Sequence, residues 1–307
     1  MKIRKIQLLI GILILMLYIW KLDVVGSLGN LKEKINYPYL VIAFLMSSSI
    51  LAVRAVRWAY VARKMDIALL SLTDSLKYTG ASFFVSLLTP GKVGDASRML
   101  FMKDSDKTRV LAGVSTEYLI DVFITILLPL ALSLLFIYEV ELFAGILILF
   151  SLLGALIALS LSKISTERIA RIVTGKNADM VAKNRDNYIE TLKHGLKFEI
   201  VIVCFALSLV MRLLTYSAIY IAFMSIYIEI DVLTLFAGLA MGQLVGVISF
   251  IPMGLGSREV GSLGFFVFMG YDPVVMGGAL IVARLLTLSP LIASYAFYLM
   301  LTLGNRP

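Results

Sequence analysis

The sequence predicts an all-α polytopic membrane protein, with about six crossing helices and two opposed re-entrant helical hairpins set in an inverted-topology repeat. Three observations predict it. Of the residues, 60% are hydrophobic and only 16% charged, outside the range of soluble globular chains on both counts, and the mean hydropathy is +0.94. Apolar runs at 8–20, 110–137, 142–161, 200–228 and 274–301 approach or exceed the roughly 20 residues that cross a hydrocarbon core. Two apolar segments are also broken by proline and glycine beside charge: Pro90-Gly91-Lys92-Val93-Gly94-Asp95 followed by Arg98, and Pro252-Met253-Gly254-Leu255-Gly256-Ser257-Arg258-Glu259. Proline removes a backbone donor and glycine opens conformations closed to other residues, so neither stretch continues as an α-helix. At membrane depth such a break is tolerated only where protein buries it or water lines it, as in a transporter's discontinuous helices.

The elements follow in order. Lys2, Arg4 and Lys5 precede the first apolar run and place the N-terminus in the cytoplasm. That run lacks a small-residue cleavage site and leads into further membrane segments, so it reads as a retained first helix. Residues 39–60 return inward and close with Arg54, Arg57, Trp58, Arg63 and Lys64; Arg54 and Arg57, three apart, share a helix face. Residues 67–90 carry Asp74, Lys77 and Gly80 and run into the first break, after which come Arg98, Lys103, Lys107 and Arg109. Basic residues on both sides make this a re-entrant pair entering from the cytoplasm. Residues 110–137 cross outward with Glu117 and Asp121 one turn apart and end at Glu139 and Glu141; residues 142–161 come back.

Residues 163–197 form the most polar stretch, with Lys163, Arg168, Arg171, Lys176, Lys183, Arg185, Lys193 and Lys197, while Ile169, Ile172, Val173, Val181, Tyr188 and Leu192 recur at helical spacing. This predicts an amphipathic helical hairpin on the inner membrane surface, a cytoplasmic connector. Gly175-Lys176 is no phosphate loop, because the upstream glycine and the following hydroxyl residue are missing. Residues 198–228 then cross outward with Arg212 near the middle and end in Glu229 and Asp231. The second break lies within 232–270, whose far end is Tyr271, Asp272 and Pro273, so acidic flanks make it a re-entrant pair entering from outside. Residues 274–301 cross inward with Arg284 near mid-span and end at Arg306, which leaves the C-terminus cytoplasmic.

The chain thus reads as a single membrane domain spanning residues 1–307, with a first repeat at 39–137, the connector at 163–197 and a second repeat at 198–301. Charges inside apolar segments are Arg54, Arg57, Arg98, Arg212, Arg258 and Arg284, opposed by Asp95, Glu117, Asp121 and Glu259. Left unpaired in lipid, each would cost roughly 2.5–3.5 kcal/mol or more, so they are expected to converge on one another or on water. The arginines outnumber the acids, and guanidinium grips phosphate through parallel hydrogen bonds, so the spare arginines fit an anionic head group. The competing bland readings are helix-clamping ion pairs, snorkelling of Arg54, Arg57 and Arg98, and counter-ion or proton-coupling roles for the acids. Gly91, Gly94, Gly254 and Gly256 serve either re-entrant tips or close helix packing.

Other chemistry has little to work with. The net charge of +8 is what basic cytoplasmic loops supply, so no nucleic-acid partner is expected. Cys204 is the only cysteine and His194 the only histidine, which excludes an intrachain disulfide, a thiolate metal cage and a triad near the bilayer. A magnesium site on Glu117 and Asp121 would rest on two carboxylates with no further acidic motif close by. No metal, no cofactor and no enzymatic activity are expected.

The two breaks, with Arg54-Ala55-Val56-Arg57-Trp58 before the first and Glu117 and Asp121 after it, resemble the flippase-like family named for the transmembrane region of lysylphosphatidylglycerol synthase. The likeness covers nearly the whole chain. The resemblance implies a lipid-moving membrane domain. In members that carry a cytoplasmic synthase the region is credited with flipping the aminoacylated phospholipid, and stand-alone members are associated with phospholipid, hopanoid or dolichyl-phosphate glycan pathways. It also implies a cell-membrane location, membrane lipids with an anionic head group as partners, and a lipid-modifying or glycosyltransferase enzyme working alongside. No synthase or transferase domain is expected from these residues, so aminoacyl transfer is not carried over. Two other readings stay open. Integral-membrane polyprenyl-pyrophosphate phosphatases also use a Pro-Gly break, with a Ser-Arg-Ser run and paired glutamates, which Ala96-Ser97-Arg98 and Glu117 with Asp121 match in part. A scaffold for lipid-modifying enzymes would use the basic stretch at 163–197 and leave the deep arginines dispensable.

Overall fold

A computed structural model describes residues 2–22, 26, 35–87, 89–124, 185–249 and 251–303, without the side chains of 2–6, 8, 90–93 and 185. Every regular element among these residues is a helix. In chain order they are α1 (Lys2–Lys21), α2 (Tyr37–Lys64), α3 (Leu72–Leu87), a 3-10 turn (Pro90–Ser97), α4 (Arg98–Phe101), α5 (Lys107–Val122), α6 (Arg185–Gly195), α7 (Phe198–Ser225), α8 (Val232–Ile248), a second 3-10 turn (Pro252–Gly254), α9 (Ser257–Phe268), α10 (Pro273–Thr287) and α11 (Leu291–Leu303). The expected segment at 142–161, the acidic turn Glu139–Glu141, Arg306 and most of the connector fall outside the described residues.

Among the described residues, three stretches are long and apolar enough to cross a membrane: α2, α7 and Pro273–Leu303. Only 22% of the most apolar window of α2, and of α7, is buried within the protein, so most of each helix must face an apolar solvent. Leu45, Val41 and Phe44 on α2 and Ile202 and Leu213 on α7 are among the exposed side chains. The protein is a polytopic, all-helical membrane protein.

The last of these stretches departs from expectation. Residues 274–301 read as one crossing helix, but α10 ends at Thr287 and α11 begins at Leu291. Pro290 lacks the amide that would continue the ladder and disfavours the helical conformation at Ser289 before it, so the helix stops there.

The helix starts show why the chain folds locally as it does. Asp106 accepts from the Thr108 and Arg109 amides at the start of α5, Asp231 from Thr234 at α8, and Asp272 from Val274 and Val275 at α10. Before α3, the Ser71 hydroxyl accepts from the Asp74 amide at 3.1 Å. The loops leading into α3 and α8 turn on a left-handed residue, Asp66 (φ 52) and Tyr227 (φ 59) respectively. One order of local features therefore occurs twice: long helix, left-handed turn, capped helix, proline break, helix, aspartate-capped helix.

Each proline break folds the chain back on itself. In the first, the Arg98 Nε donates to Ser82 Oγ at 3.1 Å, and a Cβ on Gly94 would stand 2.5 Å from the Ser86 backbone. Ser82 and Arg98 each lie eight residues from Pro90, and Ser86 and Gly94 four. In the second, Gly238 packs on Phe266, Gly242 on Ser262 and Gly246 on Arg258. These pairs lie fourteen, ten and six residues either side of Pro252. Both are antiparallel helical hairpins centred on their prolines.

The chain divides into two compact units, each drawing on separate stretches of sequence. One contains residues 1–49 and 212–289, with α1, α8, α9 and α10; its core gathers Tyr216, Ile219, Phe223, Leu235, Leu239, Phe266 and Leu280. The other contains residues 50–124, the stretch up to 211, and 290–307, with α3, α5, α6 and α11; Trp58, Val61, Met65, Met99, Leu111, Val114 and Ile120 form its core. In this second unit α6, the described part of the connector, buries Tyr188 and Leu192 in that core, and the Tyr188 hydroxyl donates to Ser115 Oγ at 3.0 Å. Gly80 of α3 meets Phe297 of α11, and Phe84 contacts Tyr295 and Tyr298.

Candidate functional site

The charged residues singled out in the sequence fall into two groups, one in each unit. In the unit holding the first break, Arg57 is 1% exposed and fully engaged. Its Nε donates to Glu117 Oε1 at 3.0 Å and its Nη2 to Asp121 Oδ2 at 3.0 Å. Its Nη1 donates to Asp121 Oδ1 and to Ser208 Oγ. Glu117, equally buried, turns its other oxygen to Arg98 Nη1 at 2.5 Å, so it joins two guanidinium groups. Arg98 in turn stacks over Trp58, 4.5 Å from the ring centroid. Beside them Arg54 donates to Asp95 Oδ2 at 2.9 Å and lies over Phe83. Three arginines and three carboxylates meet here. The shared face of Arg54 and Arg57 and the one-turn spacing of Glu117 and Asp121 bring them together: one helix presents cations, another anions. Chemically the Arg57–Glu117–Arg98 chain within this cluster is a clamp, while Arg54 Nε and Asp95 Oδ1 have no hydrogen-bond partner among the described residues. A buried Arg-carboxylate network is sustained by its mutual hydrogen bonds, and removing one member strands the rest.

The second group lines a small recess with room inside for about one water molecule. Arg258, Glu259 and Arg284 supply the charge, Ser262 and Thr287 hydroxyls, and Ile219, Leu239, Leu280 and Ala283 an apolar wall. Arg284, on α10, reaches the break: its Nη2 donates to the Met253 carbonyl at 2.6 Å and its Nε lies 3.4 Å from Glu259 Oε1. Met253 holds φ 61, which costs a residue other than glycine about 1–2 kcal/mol, and Gly254 and Gly256 follow at φ 60 and 73. The Arg284 contact is one interaction that secures this strained turn. Glu259 is only 3% exposed, and its Oε2 has no hydrogen-bond partner among the described residues. Arg258 stands in the first turn of α9, whose N-cap is Gly256 and has no side-chain cap. The positive end of the helix dipole therefore adds to the two guanidinium groups.

Two guanidinium groups and one carboxylate leave the recess lining with one positive charge in excess. Arg212, the remaining arginine of the set, is not among the lining residues; its guanidinium lies 5.2 Å from the Tyr216 ring. Pro252, Gly254 and Gly256 sit at the turn beside the recess, and Pro90, Gly91 and Gly94 at the turn of the first hairpin. Left-handed φ, the property expected of glycine at both breaks, occurs at Gly254 and Gly256 but not at Gly94. Gly94 is needed for space and for its amide, which donates to Thr89 Oγ1 at 2.7 Å.

Several contributors were not picked out from the sequence. Ser82 and Ser208 complete the arginine shells and Ser262 lines the recess, yet serines in apolar helices give no signal of their own. Gly238, Gly242 and Gly246 do: spaced four apart, they form the small-residue stripe that lets membrane helices approach, and they carry the α8–α9 contact. Helix α1 was read only as a crossing segment, but Gly11 packs on Ile251 and Leu255, a Cβ on Gly256 would stand 2.8 Å from the Leu15 amide nitrogen, and the Tyr18 hydroxyl donates to the Gly277 carbonyl at 3.2 Å. It covers the second break.

Comparison with known proteins agrees with this architecture. The model of the family described as the lysylphosphatidylglycerol synthase TM region matches residues 6–294. The chain belongs to that family. A UPF0104 membrane protein of the archaeon Methanothermobacter thermautotrophicus is 26% identical over 275 residues, covering 82% of this chain and 80% of that protein. Membership of the lysylphosphatidylglycerol synthase TM family spans both arginine clusters and both proline-centred hairpins, so the candidate site lies wholly within the family's domain.

Proposed function

We propose that this protein is a lipid translocase. It moves an anionic lipid, a phospholipid or a polyprenyl-phosphate-linked one, between leaflets of the cell membrane, with the phosphate in the arginine-lined recess and the hydrocarbon chains left in the bilayer. The observation that carries this reading is the recess itself: Arg258 and Arg284 against the single carboxylate of Glu259, beside an unwound turn and an uncapped helix start. Such an arrangement favours an anion on electrostatic grounds, and arginine forks match phosphate oxygens in pairs. Family membership supports a lipid as the bearer of that phosphate. In the topology we favour, the two hairpins are re-entrant from opposite sides, in an inverted repeat with both termini cytoplasmic, and a lipid-modifying or glycosyltransferase enzyme supplies the substrate. The protein itself performs no covalent chemistry.

The test is leaflet exchange of labelled anionic lipids in proteoliposomes, with phosphate release followed in the same samples. Exchange that collapses in Arg258→Ala and Arg284→Ala, without phosphate release, supports the translocase. Release of phosphate from a polyprenyl pyrophosphate would replace it with a phosphatase, and neither exchange nor release would leave a scaffold.

A further inference from the structure

The recess beside the second break is shut. It has room for about one water molecule, and Glu259 Oε2 on its lining is buried. A phosphate needs more space than that, so an element bordering the recess has to move before a head group enters. The helices around this break are not held alike. Helices α8 and α9 are seated on glycines at three levels, Gly238 on Phe266, Gly242 on Ser262 and Gly246 on Arg258, and α10 is tied to the turn through Arg284 and Met253. Helix α1 meets the break along one face only, with Gly11 on Ile251 and Leu255, and with Ile14 and Leu15 on Gly256, the N-cap of α9. Away from that face Leu9, Leu13, Met16, Leu17 and Trp20 are all exposed. Among the described side chains of α1, its polar tie is the Tyr18 hydroxyl on the Gly277 carbonyl at 3.2 Å. Tyr18 is buried and within electrostatic reach of Glu259, and Gly277 stands one turn before Leu280 of the recess wall. Lipid tails are as apolar as leucine side chains, so lifting α1 into the bilayer loses close packing and one hydrogen bond but no hydrophobic burial. It is the easiest of these elements to displace.

We propose that α1 is a movable cover: Tyr18 latches it to Gly277 over the second break, and release of the latch opens the arginine-lined recess to the membrane. This rests on the translocase reading above and adds how its site is reached. The structure is then the latched form, and the glycines at 11, 256 and 277 are what let the cover seat closely enough to shut the recess.

The test fastens the latch covalently with Leu22→Cys/Gly277→Cys. A Cβ on Gly277 would stand 3.5 Å from the Leu22 Cβ, a separation a disulfide spans, and replacing Leu22 removes the methyl that would otherwise crowd it. Cys204, the one native cysteine, is fully buried. Labelled phosphatidylglycerol and polyprenyl phosphate are followed between the leaflets of phosphatidylcholine proteoliposomes containing this variant, oxidised or reduced. Oxidation should slow exchange at least about tenfold, and dithiothreitol should restore it. Exchange that is the same in both states, with the cross-link verified by mass, overturns the inference. Hydrogen exchange in detergent gives a readout that needs no transport and no cysteine pair. Tyr18→Phe, which removes only the latching hydroxyl, should speed exchange of the backbone amides at 255–260 by about threefold or more and leave those at 94–98 unchanged. Equal rates in variant and unaltered protein, or a rise at both breaks alike, overturn the inference. If neither lipid exchanges in the unaltered protein, the translocase reading falls, and the hydrogen-exchange result alone decides whether α1 is a cover.

Discussion

Around Arg57, three guanidinium groups meet three carboxylates, and the buried Arg57–Glu117–Arg98 chain is hydrogen-bonded end to end with serines filling the remaining positions. In the recess, two guanidinium groups face one carboxylate, one of whose oxygens has no hydrogen-bond partner among the described residues. Both groups sit next to a proline-centred hairpin and use the same residue types. Stoichiometry separates them. The first group is balanced in charge, although Arg54 Nε donates and Asp95 Oδ1 accepts no hydrogen bond among the described residues, whereas the recess lining carries an excess of positive charge that an anion can answer.

The hairpins differ in a parallel way. The first is a 3-10 turn with ordinary backbone angles, tightened because Gly94 lets Ser86 come close. The second passes through three left-handed residues, Met253, Gly254 and Gly256, and is tied by Arg284 and overlain by α1. The strained turn is the one beside the recess, and backbone strain most often accompanies function.

The comparison can be broken most forcefully at Glu117. Glu117→Ala takes from Arg98 its carboxylate and leaves Arg57 only Asp121 and Ser208, and should destabilise by about 3–5 kcal/mol, read as a fall in thermal unfolding temperature in detergent. A loss under about 1 kcal/mol would mean that the cluster is wetter than its exposure indicates. Next in size is Arg258→Ala, which should weaken anionic-lipid binding about tenfold or more while shifting lipid-free stability far less than Glu117→Ala does. A stability loss equal to that of Glu117→Ala would erase the distinction between clamp and recess. Gly256→Ala adds a Cβ in a left-handed position against the α1 backbone and should cost about 1–3 kcal/mol. Pairing it with deletion of α1 would divide that cost between strain and collision. The smallest effect is the reverse one: Met253→Gly removes the left-handed penalty and should stabilise by about 0.5–1 kcal/mol, unless added freedom in the unfolded chain cancels it.

Much of this was legible in the sequence because the signals were local or costly. Proline beside glycine inside apolar runs marked both hairpins, and charge in an apolar helix marked every member of the two clusters, since such residues persist only with partners. Spacing alone foretold that Arg54 and Arg57 share a face and that Glu117 and Asp121 share another. What sequence could not give was the partition: nothing in Arg98 or Arg258 tells which is saturated, because that depends on Glu117 and Ser82 arriving from elsewhere in the chain. The break at Pro290 was readable and overlooked, as hydropathy ran on through it. The glycine stripe at 238, 242 and 246 was likewise readable. The packing of α1 over the second break was not, because its contacts are long-range and Gly11 carries no distinguishing neighbour.

The mirror arrangement of each hairpin about its proline also constrains how the gene can change. Partners stand at equal distances from Pro90 or Pro252, so a residue inserted in one arm turns everything beyond it by about 100° around the helix and unfastens every partner further along. Gly238, Gly242 and Gly246 would then present their missing side chains to the wrong neighbours. Substitutions within an arm can be absorbed one at a time, but the lengths of the two arms are bound to each other, and deletions are tolerated only in matched pairs or outside the outermost contact.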